Sequence, residues 1–312
     1  IGVTSGCQVV SASVALTSPS LGDLAVSPVS GDTPAGAAYL ALQRQARVLG
    51  RNTDEVLQLY VLEGFLARLA ASAVRDQFVL KGGVLLAALD ARRPTRDVDL
   101  AGLDMSNDAS SVLQTVREII AGAPSFDDGI EFDTASATSQ VIREDDEYAG
   151  VRVKVSATIA KARVKFHVDV NIGDPIWPAP SIVHVPRLLG GEAIKLAGYP
   201  LAMVYAEKSV TALQRGDTNT RWRDFGDIWT LQRRYPIDGT ELRRAIDTVA
   251  AHRNATLIPL RDALAGYPAL AQDKWTSWRM RWSLFDLPQE FAPVLASIIT
   301  FIDPVIDGLA PG

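Results

Sequence analysis

The sequence predicts an α+β protein, a mixed sheet flanked by helices and followed by a mainly helical C-terminal region. Between Phe78 and Val185 the apolar residues recur with a period near two, whereas beyond Pro200 the spacing is helical almost to the end. The chain has 312 residues, 47% apolar and 21% charged, enough for a substantial core and unlike a disordered composition.

Residues 1–33 are rich in Ser, Gly, Thr, Val and Pro, contain no aromatic residue and read as a low-complexity leader. A helical pattern runs from Ala37 to Gly50, and Asn52-Thr53-Asp54-Glu55 has the cap and first-turn acids of a second helix. Its stripe of Val56, Leu59, Tyr60, Leu62, Phe65, Leu66 and Leu69 is core. Strands are expected at 78–80, 97–103, 139–143, 151–159 and 163–171, with helices at 84–91 and 107–121. Val151-Arg-Val-Lys-Val-Ser-Ala-Thr-Ile and Arg163-Val-Lys-Phe-His-Val-Asp-Val-Asn both alternate as half-buried antiparallel strands do. Further helices are expected at 201–215, 222–235, 239–253, 257–265 and 287–302. This divides the chain into the leader, an α/β domain over 34–198 and a helical domain over 199–312.

Composition restricts the chemistry. One cysteine excludes a disulfide framework, and with only three histidines no thiolate or imidazole metal cluster can form. A bound metal must be held by carboxylate oxygens, which favours Mg²⁺ or Mn²⁺. The longest apolar run, Phe291 to Ile302, contains Pro293, stops at Asp303 and is too short to span a bilayer. No basic start with a compact apolar stretch marks a signal peptide, so a cytoplasmic protein without a membrane partner is expected. Net charge is −5, yet Tyr205 to Phe285 carries 13 Lys/Arg against 9 Asp/Glu, a local +4 that leaves −9 elsewhere. A basic region on an acidic protein suits a polyphosphate or RNA ligand; ordinary solvated helix faces give the same balance.

Three segments carry candidate chemistry. Phe78-Val-Leu-Lys81-Gly82-Gly83-Val-Leu-Leu is a strand running through two glycines into an apolar helix, where backbone N–H groups can approach a phosphate. Most such turns bind nothing. In Arg93-Pro94-Thr95-Arg96-Asp97-Val98-Asp99-Leu100, a strand puts Asp97 and Asp99 on one face and Val98 and Leu100 on the other. Two parallel carboxylates repel unless a cation sits between them, and a divalent ion there can hold nucleotide phosphates. An ordinary strand end with exposed acids is the alternative. His167-Val168-Asp169-Val170-Asn171-Ile172-Gly173-Asp174 supplies a third acid on an apolar strand, either completing a metal site or capping the turn at Gly173.

Lys-Gly-Gly-x-x-Leu, Thr-Arg-Asp-Val-Asp-Leu and His-Val-Asp-Val together resemble the nucleotidyltransferase superfamily typified by DNA polymerase β. More narrowly they resemble the AbiEii/AbiGii toxin family, which includes the MenT toxins of mycobacteria. The order continues with Gly198-Tyr199-Pro200, Tyr205-Ala206-Glu207-Lys208 and Arg223-Asp224-Phe225-Gly226-Asp227, so the resemblance covers about residues 78 to 230. It departs from the superfamily's usual Gly-Ser in having Gly82-Gly83, as many toxins of the narrower family do, and has Thr95 where serine is common.

The resemblance implies a polymerase β-like nucleotidyltransferase domain before the helical one, with the site between them. It carries essential roles onto Thr95, Asp97, Lys208 and Asp224, and the remaining metal-site acids onto Asp99 and Asp169. Asp97, Asp99 and Asp169 would hold Mg²⁺ (or Mn²⁺), and Lys208 would neutralise the triphosphate. Lys81, Gly82, Gly83, Arg96 and Asp227 would contact the nucleotide, although Asp227, which shares a helical face with Asp224, could equally orient Lys208. The implied function is that of a toxin in a toxin–antitoxin system, adding NMP from an NTP, CTP or UTP favoured, to the 3′ end of tRNA. A cognate antitoxin would restrain it. The arginines at 221, 223, 233, 234, 243, 244, 279 and 281 would dock the RNA backbone. Trp222, Trp275, Trp278 and Trp282 are possible stacking partners, though the spacing of the last three is that of core residues. Alternatives are a small-molecule acceptor such as an aminoglycoside, a protein hydroxyl, or a nucleotide-binding regulator without transfer.

Overall fold

The computed structural model describes residues 2, 29–124, 126–144 and 148–309. Most of the leader expected over 1–33 therefore lies outside the described residues. Helix α1 (Pro34–Leu49) starts at Thr33, whose hydroxyl accepts from the Gly36 N–H, and ends at Gly50 in the left-handed region. Helix α2 (Thr53–Ala71) starts at Asn52 as its sequence predicts and is buried along most of its length. Its two buried charges are paired: Arg68 forks onto Asp128, at 2.6 and 3.1 Å, and Glu63 bonds Arg92 and the Leu188 N–H.

Seven strands follow among the described residues: β1 (Phe78–Lys81), β2 (Asp97–Gly102), β3 (Ile130–Glu144), β4 (Tyr148–Ile159), β5 (Ala162–Ile172), β6 (Ser181–Val185) and β7 (Ile194–Gly198). They form one mixed sheet in the order β3-β4-β5-β2-β1-β7-β6, with β2 parallel to β5 and β1 parallel to β7. Between β1 and β2 lies the short helix α3 (Gly82–Leu85), and α4 (Ala109–Ala121) follows β2. The alternation on β5 buries Val164, Phe166, Val168 and Val170. Phe166 meets Phe65 of α2 edge-on at 5.9 Å, so this face packs on the N-terminal helices. His167, Asp169 and Asn171 occupy the opposite face.

The C-terminal region consists of α5 (Leu201–Arg215), α6 (Trp222–Gln232), α7 (Gly239–His252), α8 (Leu260–Ala263), α9 (Tyr267–Arg281) and α10 (Phe291–Ile306). Phe225, Tyr267, Trp275 and Phe291 interlock at its centre, with ring centroids 5.3–5.5 Å apart. No helix among the described residues is long and apolar enough to cross a membrane.

Several expected elements need correction. The helix expected over 84–91 is the single turn α3, followed by turns through Asp90. Strands β6 and β7 and helix α9 are additional to the expected elements, and β3 begins nine residues earlier than the expected 139. The helix expected at 257–265 is only α8, and the last helix lies at 291–306 rather than 287–302.

Candidate active site

The sheet register assembles the acids. Asp97 lies opposite His167, and Asp99 opposite Asp169, across the parallel β2–β5 pair. Asp99 is also opposite Lys81 on β1, and Asp169 opposite Arg152 on β4. A row of Arg152, Asp169, Asp99 and Lys81 therefore crosses four strands on one face, with Asp97 beside it. Asp97, Asp99 and Asp169 each bring an oxygen to within 4.8 Å of the other two. Thr95 donates its hydroxyl to Asp97 at 2.5 Å.

The two glycines make this row possible. A Cβ on Gly82, which sits at φ +66°, would fall 1.8 Å from a carboxylate oxygen of Asp99, and one on Gly83 would fall 2.7 Å from the Thr95 hydroxyl. The Gly83 N–H donates to Asp99. Burial, together with the charges of Asp97 and Asp169, nevertheless pushes the Asp99 carboxyl up to about 7, against the opposing pull of Lys81. The Lys81 ammonium has turned away, bonding Asp174 and Glu207, each at 3.0 Å. Arg152 grips both oxygens of Asp169, at 2.8 and 2.6 Å. Three hard oxygen donors with surplus negative charge fit a hard divalent cation.

The opposite wall of the cleft comes from α5 and α6. Lys208 of α5 donates to Asp224 at 2.7 Å and to Asp227 at 2.8 Å. Asp227 is also gripped by Arg93 at both oxygens, and Asp224 is bonded by Arg221 at 2.9 Å. Burial opposes the charge on Lys208, but the two carboxylates outweigh it and hold its pKa above the ordinary lysine value. Burial likewise opposes ionisation of Asp224, and Lys208 and Arg221 hold that carboxyl well below its usual range. Lys81, Asp99, Asp169, Lys208, Arg221, Asp224 and Arg253 all line the cleft.

The structure thus brings together Thr95, Asp97, Asp99, Asp169, Lys208 and Asp224, with Gly82 and Gly83 beneath them. Lys81 is present, but its ammonium is committed to two carboxylates. Asp227 is buried and engaged by Arg93 and Lys208, so its place is behind the lysine. Arg96 is exposed in a separate groove with Lys165 and Arg281. Of the tryptophans, Trp275 is fully buried, as its spacing suggested. The sequence pattern does not single out Arg93, Arg152 or Asp174, whose partners are 134, 17 and 93 residues away, nor Glu207 as a partner of Lys81. Only Arg152 carried a readable signal, the alternation that places it on the outward face of its strand.

A mixed sheet presenting three acids on one face beside a lysine-bearing helix places the protein in the nucleotidyltransferase class. The sequence model of the AbiEii nucleotidyl transferase toxin family, of type IV toxin–antitoxin systems, matches residues 64–296, and the chain belongs to that family. Among solved structures it is similar to JHP933 from Helicobacter pylori, at 15% identity and TM-score 0.46, over 80% of this chain and 94% of that one. A candidate nucleotidyltransferase from H. pylori is similar at 14% identity and TM-score 0.48, over 81% and 96% of the two chains. No curated protein matches in sequence.

Proposed function

We propose that this protein is a toxin that transfers a nucleoside monophosphate from an NTP, CTP or UTP favoured, to the 3′ hydroxyl of a tRNA, and is restrained by a cognate antitoxin. The observation that carries this reading is the register of Asp97, Asp99 and Asp169 on one sheet face, opposite Lys208. The acceptor oxygen forms a bond to the α-phosphorus, the bond from that phosphorus to the bridging α–β oxygen breaks, and pyrophosphate leaves with the electron pair.

Asp97, Asp99 and Asp169 would hold Mg²⁺ or Mn²⁺, which supplies charge neutralisation at the phosphates and acidifies the attacking hydroxyl. Thr95 fixes the carboxylate of Asp97 by its hydrogen bond. Asp169, the most buried of the three acids, orients the acceptor hydroxyl and takes up its proton. Lys208 places a fixed positive charge against the triphosphate, and Asp224 and Asp227 keep it charged and aimed. Arg253 adds a second cation to the same wall. An α/β domain over 34–198 and a helical domain over 199–312 would then hold the nucleotide between them.

Incubating the protein with total tRNA, Mg²⁺ and each radiolabelled NTP in turn, beside Asp97→Ala, tests the reading. Label on tRNA from one or both pyrimidine nucleotides, lost in the variant, is expected. No label from any NTP would overturn the tRNA assignment and direct attention to small-molecule or protein acceptors.

A further inference from the structure

The open sheet face continues beyond the carboxylates. By two-residue alternation Lys165 and Arg163 share the face of Asp169 on β5, and Lys154 lies on the same face of β4, opposite His167. All three are exposed, and none has an ion pair or hydrogen bond from its side-chain nitrogens among the described residues. With Arg152 they make four cations on this face of the β4–β5 hairpin, against Asp169 on the hairpin itself and Glu131 and Asp133 beside it on β3. The cleft on the far side of the row is different, since its lysines are matched by Asp174, Glu207, Asp224 and Asp227.

The cationic face runs into a groove. Lys165 lines it together with Thr95, Arg96, Arg281 and Trp282, and the Arg281 guanidinium lies 5.5 Å from the centre of the Trp282 ring. The groove's two acids, Asp54 and Glu55, come from the first turn of α2, and Glu55 is paired with Arg51. Thr95 joins this groove to the carboxylates through its bond to Asp97.

We propose that the open face of the β4–β5 hairpin, with the Arg96–Trp282 groove at its edge, is the docking track for the single-stranded 3′ end of an RNA acceptor, delivering its terminal hydroxyl to Asp169. Cations two residues apart on a strand are about 6.6–6.8 Å apart, comparable to neighbouring phosphates of an extended polynucleotide. Long lysines meet such phosphates as adjustable point charges, and a tryptophan offers a base a stacking platform. A small-molecule acceptor would instead call for an enclosed and largely apolar pocket. The arginines of the helical region are poorer candidates, because Arg243 and Arg279 are bonded to backbone carbonyls and Arg221 to Asp224. What happens at Asp169 rests on the transferase reading above; the docking does not require it.

The test is fluorescence anisotropy of the full chain with a labelled single-stranded RNA bearing a free 3′ hydroxyl, over a series of salt concentrations. The variant Lys154→Gln/Arg163→Gln/Lys165→Gln is compared with Arg223→Gln/Arg233→Gln/Arg244→Gln, which removes three exposed helical arginines. The sheet variant should bind at least ~10-fold more weakly, and its slope of log K against log salt should be shallower by about 2, for three lost phosphate contacts at ~0.7 each. The helical variant should stay within about 3-fold of the parent. Lys154→Arg/Arg163→Lys/Lys165→Arg should restore binding, which separates lost charge from misfolding. Absence of RNA binding by the parent, unchanged binding by the sheet variant, or loss confined to the helical variant would each overturn the track. If binding behaves as expected but no nucleotide is transferred, the transferase reading fails and the track stands. Transfer with an unchanged KM for RNA in the sheet variant would sink the track alone.

Discussion

The carboxylates of Asp97, Asp99 and Asp169 and those of Asp224 and Asp227 flank the same cleft, yet they stand in opposite electrostatic conditions. The first three are gathered on neighbouring strands with one cation, Arg152 on Asp169, against three carboxylates, and the Asp99 carboxyl is pushed up to about 7. The other two lie on consecutive turns of α6, alternate with Lys208, Arg93 and Arg221, and are held below their usual pKa range. One cluster is left with surplus negative charge; the other is matched by its own cations. A shared cleft therefore contains a binding site that strains the fold and a support that stabilises it.

Removing an acid should have opposite consequences in the two places. Asp227→Ala takes a buried partner from Arg93 and Lys208, each only 12% exposed, and breaking a buried ion pair costs about 3–5 kcal/mol. Chemical denaturation should show a loss of that size, and any remaining nucleotidyl transfer should fall with it because Lys208 is no longer aimed. A loss below ~1 kcal/mol would mean that solvent replaces the pairs and that the network is not a support.

The same contrast governs what could be read in advance. The acids of the strained cluster show in the sequence because each lies on a strand whose apolar neighbours alternate, as in Asp97-Val98-Asp99-Leu100 and Val168-Asp169-Val170. Of the supporting network the sequence reveals Asp224 and Asp227, three apart on one helix, and Lys208 through the family resemblance; Arg93 reaches Asp227 across 134 residues and nothing local announces it. The fold divides similarly. Val151 to Ile159 is half-buried, so its pattern reveals it. Val84 to Ala87 is buried on all sides, and a continuous apolar run does not say where a helix stops. Helix α9 buries only Tyr267, Ala271 and Trp275, too thin a stripe to register, and β6 and β7 have five residues each.

Asp99→Asn sharpens the comparison from the other side, with a smaller effect of opposite sign. A carboxyl at about 7 in the folded chain and ~3.9 unfolded keeps a proton in the native state that the unfolded chain has released. Its contribution is full below ~pH 4 and is lost as pH rises through 7. The amide removes that fall, so at pH 8 the metal-free variant should be more stable than the parent, on the order of 1–2 kcal/mol once solvent in the cleft is allowed for. Asp224 and Asp227 work in the reverse sense: their stabilisation is present above ~pH 4 and is lost as pH falls through their depressed values. Thermal melts across pH 4–8 separate the two. A variant no more stable than the parent at pH 8 would mean that the cluster is not strained.

The smallest expected effect lies at Thr95, whose hydroxyl links the strained cluster to the groove that holds Arg96 and Lys165. Thr95→Ser keeps the donor to Asp97 and removes only a methyl group, so transfer should stay within about 3-fold of the parent. Thr95→Val keeps the shape and removes the donor, leaving Asp97 to turn toward solvent. A hydrogen bond to a charged group contributes roughly 1.5–3 kcal/mol, so the divalent-ion concentration giving half-maximal transfer should rise about 10-fold or more. Mn²⁺ titration followed by its electron paramagnetic resonance signal reads the same change without turnover. If valine and serine behave alike, Asp97 is positioned by its strand alone, and the hydroxyl belongs to the groove rather than to the metal site.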